Sequence, residues 1–183
     1  MTQVNLKGFR VAMLVTNAFE QVELEKPKEA LEKAGATVQI VSPVNGTVKG
    51  WDHDKPKDDF KVDVPLASAK PEDFDALVLP GGVANPDKLR IDEKAVQFAK
   101  SFANKPIGAI CHGPWLLINA ELVKNKKMTS YLSLKADLTN AGAKWVDQEV
   151  VRDGKLVTSR KPDDIPAFNK ALIELFAENL KGH

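Results

Sequence analysis

Lys105-Pro-Ile-Gly-Ala-Ile-Cys-His-Gly-Pro-Trp-Leu-Leu117 runs an apolar strand straight into a helix start and puts the only cysteine of the chain, Cys111, at the junction, with a histidine next to it. Pro106 to Ile110 is a short apolar run of the kind that fills a buried strand, and Pro114 suits the first turn of a helix. Gly108 and Gly113 are expected to relieve crowding on either side of Cys111. Ala-Ile-Cys-His-Gly has the form of the G-x-S-x-G nucleophile elbow with cysteine for serine, a strained strand-to-helix corner that lifts the nucleophile above the sheet edge. A helix N-terminus beneath the sulfur, with unpaired N–H groups and partial positive charge, is expected to lower the thiol pKa. The competing reading makes Cys111 a small buried hydrophobe.

Outward from the elbow, the chain alternates as βαβ units do. Arg10 to Val15 reads as a buried strand, Gln21 to Ala34 as a helix closed by Gly35, and Thr37 to Val41 as the next strand. The polar, glycine-punctuated stretch from Ser42 to Lys61 predicts a short hairpin. Asp75 to Leu79 gives a third apolar strand ending in Pro80-Gly81-Gly82, and Asp92 to Ala103 an amphipathic helix. Beyond the elbow the pattern predicts a helix around Ser133 to Ala141, strands near Trp145 to Val151 and Leu156 to Thr158, and a final helix from Asp164 to Leu180. The fold expected is a three-layer α/β sandwich on a mostly parallel sheet.

Composition sets the outer bounds. A chain of 183 residues, 43% hydrophobic and 28% charged, is expected to form one domain, and the Trp51 to Lys61 loop is too short to divide it. Its 26 basic and 25 acidic residues leave a net charge of +1 with no basic run to track a phosphate backbone, so nucleic acid is not an expected partner. The N-terminus lacks the apolar stretch of a signal peptide and no segment reaches membrane-spanning length, so the expected location is cytoplasmic. A single cysteine forms no internal disulfide, which fits a reducing compartment.

In open α/β sheets the site lies beyond the carboxyl ends of the strands. Three strand-to-helix loops there carry chemistry: Asn17-Ala-Phe-Glu-Gln-Val-Glu23, Leu79-Pro-Gly-Gly82 and the elbow. Glu20 and Glu23 are three residues apart and on a helix would share one face. A carboxyl forced against a thiolate in an apolar pocket should have a raised pKa, which would let it donate to sulfur or to an oxidised sulfinate; the alternative is a solvated first-turn pair. Gly81 and Gly82 present backbone N–H groups without side-chain obstruction, so an oxyanion could be held by the Gly82 and His112 N–H groups, or the pair could be a plain turn. Trp115 and Tyr131 either line the pocket or fill the core. His53, in Trp51-Asp-His-Asp, hints at a metal but reads better as part of a solvated charged loop. No G-x-G-x-x-G, Walker loop, H-E-x-x-H or paired-cysteine spacing occurs, so neither a metal nor a cofactor is expected.

Phe19-Glu-Gln-Val-Glu, Phe74-Asp-Ala-Leu-Val-Leu-Pro-Gly-Gly, Ala109-Ile-Cys-His-Gly-Pro, Asp147-Gln-Glu-Val-Val and Thr158-Ser-Arg-Lys-Pro-Asp-Asp, in that order, resemble the PfpI/ThiJ superfamily, and most closely its PfpI-type protease and stress-protein branch. The resemblance spans nearly the whole chain. It implies a flavodoxin-like fold related to class I glutamine amidotransferases and an obligate oligomer, a homodimer or a hexamer built from dimers. Activity would be that of a peptidase, glyoxalase or deglycase on peptides or aldehyde-modified groups, or else a redox or chaperone-like stress role. Residue by residue it makes Cys111 the nucleophile, His112 its base and Glu23 the buried glutamate whose protonated carboxyl meets the sulfur, with Glu20 the more structural acid. Asp87 falls where a neighbouring subunit would supply the orienting acid, although this loop is one residue longer than the family's and the acid is shorter. Because adjacent residues on an elbow usually point apart, His112 is expected to need help to reach the sulfur.

Overall fold

The computed structural model describes residues 3–180. Its strands are β1 (Arg10–Leu14), β2 (Phe19–Glu20), β3 (Thr37–Ser42), β4 (Thr47–Asp52), β5 (Lys55–Lys61), β6 (Val64–Pro65), β7 (Ala76–Leu79), β8 (Ile107–Ile110), β9 (Lys127–Met128), β10 (Lys144–Trp145), β11 (Val150–Asp153) and β12 (Leu156–Ser159). Its α-helices are α1 (Gln21–Lys33), α2 (Ala84–Leu89), α3 (Glu93–Lys100), α4 (Pro114–Asn119), α5 (Lys135–Asn140) and α6 (Ile165–Glu178).

Seven strands form the central sheet in the order β11-β12-β8-β7-β1-β3-β6. Every pairing in it is parallel except that of the edge strand β11 with β12. Strands buried on both faces must be apolar, and β7, β8 and all of β1 after the exposed Arg10 are. Along β1 the side chains divide by parity: Val11 and Met13 join one core with Leu24, Leu31, Phe168 and Leu172 of α1 and α6, while Ala12 and Leu14 join the other with Phe98, Leu116 and Leu138. In α6 the buried Phe168, Leu172, Leu175 and Phe176 make one helical stripe, each contributing roughly 1.5–3 kcal/mol of burial. Gly108 serves this packing rather than the elbow, since a Cβ there would collide with Leu172. Asp92 starts α3 by accepting from the Lys94 and Ala95 N–H groups at 2.9 and 3.2 Å.

Sheet order reverses between β1, which continues outward to β3, and β7, which continues to β8 and β12. A reversal of this kind opens a crevice at the carboxyl ends of the two strands. The hairpin foreseen between Ser42 and Lys61 is β4–β5, which forms a small separate sheet with β2 and arches over that crevice. Some boundaries differ from the pattern reading. Asp147 to Glu149 belong to no strand and separate β10 from β11, and the helix read from Ser133 begins as a 3-10 turn over Leu132–Leu134 before α5. Helix α2 adds an element that periodicity does not reveal.

Candidate active site

Cys111 stands at the end of β8 with φ 61°, in the left-handed region that a side chain other than glycine's adopts only under constraint. The constraint is visible on both sides. Its N–H donates to the Ser159 carbonyl at 3.1 Å, its carbonyl accepts from the Tyr131 N–H at 2.9 Å, and the Gly113 N–H closes the turn onto Ile110 at 2.9 Å. Holding this conformation costs about 1–3 kcal/mol. Cys111→Gly is therefore expected to melt roughly 2–4 °C above Cys111→Ala, because only glycine occupies this region without strain; differential scanning calorimetry checks this, and equal melting temperatures would remove the claim of strain.

The inverted corner turns the next side chain back over the sulfur. Cys111 Sγ lies 3.2 Å from His112 Nδ1, and His112 Nε2 lies 3.2 Å from Ser133 Oγ. Tyr131 stacks on the imidazole with centroids 4.8 Å apart, and Trp115 meets it edge-on at 5.0 Å. Contacts within its own chain thus already bring the ring to the sulfur, although the residues are adjacent. Burial lowers the pKa of His112, so the imidazole is neutral at neutral pH and one of its nitrogens is free to accept a proton.

On the other side of the sulfur is Glu23, wholly buried in α1. One carboxyl oxygen accepts the Gly81 N–H at 3.0 Å, and the other, Oε2, has no hydrogen-bond partner of the ordinary kind. Burial, reinforced by the charge of Glu20, pushes the Glu23 carboxyl up to about 8. Cys111 is pushed up as well, by burial first and then by the charge of Glu23. The expected lowering of the thiol does not occur: the Gly82 and His112 N–H groups favour the thiolate, but desolvation outweighs them, and α4 is only six residues long. Two buried acids in one pocket take a first negative charge before a second, so at neutral pH Glu23 keeps its proton and can offer it to sulfur.

Gly81 and Gly82 make this closeness possible. A Cβ on Gly81 would lie 2.6 Å from Glu23 Oε1 and 2.7 Å from Cys111 Cβ, and Gly82, at φ +76°, backs onto the Glu20 N–H. A fully buried Asn85 in α2 holds the two loops in register, accepting the Thr16 N–H at 2.8 Å and donating to the Pro80 and Gly81 carbonyls at 3.2 and 3.0 Å. The assembly opens into a pocket of about 520 Å³ whose wall includes Glu20, Glu23, Gly82, Cys111, His112 and Lys161.

Comparison with known proteins decides the lineage, because residues 9–175 match the DJ-1/PfpI family. The chain belongs to that family. General stress protein 18 of Bacillus subtilis is 44% identical over 172 residues, covering 92% of this chain and 98% of that protein. Deglycase PfpI of Pyrococcus furiosus is 42% identical over 168 residues, covering 91% and 98%. The crystal structure of Drosophila melanogaster DJ-1beta matches with a TM-score of 0.83 at 28% identity, covering 92% of this chain and 90% of that one. The mostly parallel α/β sheet is the one these DJ-1/PfpI neighbours share.

Against this DJ-1/PfpI frame the remaining residues find their places. Glu20 is not on α1 but immediately precedes it, in extended conformation and without a side-chain bond to the helix, and still faces the pocket. Its carboxylate accepts the His53 N–H at 3.1 Å and so ties down the tip of the β4–β5 hairpin. His53 is exposed, as a solvated loop residue should be, yet it reaches the pocket rim, a long-range placement invisible in sequence. Glu20, Asp52 and His53 hold ligand-type atoms within 4.8 Å of one another, a set able to take a cation, although Asp52 and His53 are open to solvent. Asp52 and Glu20 hold the His53 pKa above its ordinary value. Tyr131 lines the pocket, whereas Trp115 sits behind His112 and donates to Asp137 at 2.9 Å. Asp87, exposed in the first turn of α2, does not line the pocket of its own chain. Arg160 forks onto Asp164 at 2.9 and 3.0 Å and reaches Asp147 at 2.9 Å, which fixes the loop carrying Lys161 and Pro162 into the pocket wall. Among the described residues no helix is long and apolar enough to cross a membrane.

Proposed function

We propose that this protein is a cofactor-independent, cysteine-dependent hydrolase of stress conditions that acts on carbonyl carbons of aldehyde-modified thiols and amines, with peptides as the neighbouring substrate class. The observation that carries this is the 3.2 Å contact between Cys111 Sγ and the neutral His112 ring at the mouth of an open pocket. In the first step the thiol S–H breaks and its proton passes to His112 Nδ1. The sulfur pair forms a C–S bond to the carbonyl carbon, and the carbonyl π pair moves to oxygen. The Gly82 and His112 N–H groups, which already point at the sulfur, are the donors for that oxyanion. For a peptide, the oxyanion pair re-forms C=O as the C–N bond breaks, His112 gives its proton to the leaving amine, and water cleaves the thioester left on Cys111. In an aldehyde adduct the thiol or amine sits on the carbinol carbon beside that carbonyl: its C–S or C–N bond breaks and it takes the proton from His112 as the carbinol O–H pair forms C=O. The oxyanion then collapses, expelling Cys111, which takes up the carbinol proton, and freeing the dicarbonyl. The test is release of thiol from a methylglyoxal hemithioacetal, alongside cleavage of a fluorogenic peptide amide. His112→Ala is expected to lower turnover about 100-fold, and wild-type rates equal to buffer on both substrates would overturn the reading.

Asp87 enters this chemistry only if a second copy of the chain brings it to His112, as a homodimer or a hexamer of dimers would. Asp87→Ala reports on that: a loss like that of His112→Ala supports the borrowed acid, and unchanged turnover leaves His112 with the groups of its own chain. A reducing cytoplasm, where we place the protein, suits its single thiol. The unpartnered Glu23 Oε2 beside the sulfur favours a second reading, in which peroxide oxidises Cys111 to sulfenic and then sulfinic acid and Glu23 donates to the product. If peroxide resistance follows Glu23→Gln while neither substrate turns over, the second reading gains.

A further inference from the structure

We propose that Ser133 is the positioning residue of His112, accepting a hydrogen bond from Nε2–H and thereby leaving Nδ1 as the basic nitrogen that faces the Cys111 thiol. This rests on the hydrolase reading for its kinetic consequence but not for its structural one. The geometry is a chain of contacts through a ring held between two aromatic side chains: Sγ to Nδ1 at 3.2 Å, then Nε2 to Ser133 Oγ at 3.2 Å.

Direction along that chain follows from what each group can do. A neutral imidazole has one N–H and one lone pair, and the partner of one nitrogen decides the role of the other. Glu23 in its protonated form donates to sulfur, so the thiol hydrogen needs an acceptor elsewhere, and Nδ1 is the nitrogen within reach. The hydrogen on the ring therefore sits on Nε2, and Ser133 Oγ accepts it. Ser133 is itself exposed, so its own hydrogen is free to turn to solvent. When the thiol ionises, the S–H bond breaks and an N–H bond forms at Nδ1, while Nε2–H stays on the same oxygen. A hydroxyl thus serves both ring states without moving, which an orienting carboxylate would do with added charge. The charged group whose field reaches the ring from its own chain is Asp137, already engaged by Trp115 Nε1.

The test uses full-length protein labelled with 15N histidine. Three histidines give three ring signals, and His112 is assigned from the variant that lacks it. Wild type is expected to show one tautomer, protonated at Nε2. Ser133→Ala should mix the tautomers and slow both iodoacetamide alkylation of Cys111 and kcat about tenfold, the worth of one neutral hydrogen bond, with KM unchanged. Ser133→Thr, which restores the hydroxyl, should restore all three. An unchanged ring signal in Ser133→Ala would overturn the proposal, as would a change that Ser133→Thr does not reverse. If the ring signals and alkylation behave as expected while no substrate turns over, the positioning role stands and the hydrolase reading falls.

Discussion

Gly81→Ala is expected to reduce turnover about 100-fold and to destabilise the protein by about 1–3 kcal/mol, the usual cost of overpacking. The added methyl has nowhere to go. It would meet Glu23 Oε1 at 2.6 Å, Cys111 Cβ at 2.7 Å and the Ile110 carbonyl at 2.8 Å. None of these is the loose end of a flexible side chain: Glu23 is sealed in the core, and Cys111 is clamped through its backbone to Ser159 and Tyr131. Relief requires pushing the β7 loop away from the elbow, which breaks the Gly81 N–H bond to Glu23 and withdraws the Gly82 N–H from the sulfur. A displacement of 1 Å at a reacting centre is enough to cost about 100-fold. Thermal unfolding and substrate turnover together check this, and wild-type turnover in a folded variant would mean the loop can move without disturbing the nucleophile.

The second large effect is a dependence of stability on pH. Glu23 has an ordinary value of 4.5 and a value of about 8 in the fold. Between those values the folded chain holds a proton that the unfolded chain releases, so stability falls as the pH rises, by up to about 1.4 kcal/mol for each unit. The stabilisation is whole below about pH 4.5 and gone once the pH has passed about 8. Glu23→Gln keeps the shape and cannot ionise. Its melting temperature relative to wild type is expected to climb steadily through this window, and parallel curves for the two proteins would show that Glu23 is not the buried acid described here.

Much of this arrangement is legible in the sequence, for local reasons. The strands β7 and β8 are short apolar runs next to Pro80 and Pro106, β1 is one from Val11 on, and the elbow states its strain in the five residues Ala109 to Gly113. Gly82 follows from its position after β7, and Glu23, in the first turn of α1, from the family resemblance. What escapes reading depends on contacts between distant residues. The tip of the β4–β5 hairpin reaches Glu20 across 33 residues, and Ser133 meets His112 across 21, with no periodic signal to announce either. Helix α2 is six residues with Pro86 inside it, too short to show a helical stripe, and so Asn85 remains hidden as the latch between the loops. The closeness of His112 to sulfur and the upward shift of the thiol escape local reading for physical reasons. Inverting the backbone at Cys111 folds the neighbouring ring back, and burial of the site outweighs the local N–H groups.

The clamp on Cys111 also sets when its strained corner comes into being. One jaw is Ser159 on β12 and the other is Tyr131, so neither bond exists until chain lying 20 and 48 residues further on has docked. Pairing of β8 with β12 is non-local and is formed at the expense of loop closure. A chain that extends only through α4 therefore lacks both bonds that hold Cys111 in its left-handed conformation. The strained corner thus arrives with the last strand and not before, so the local motif and the distant half of the chain must fold together before the site has its geometry.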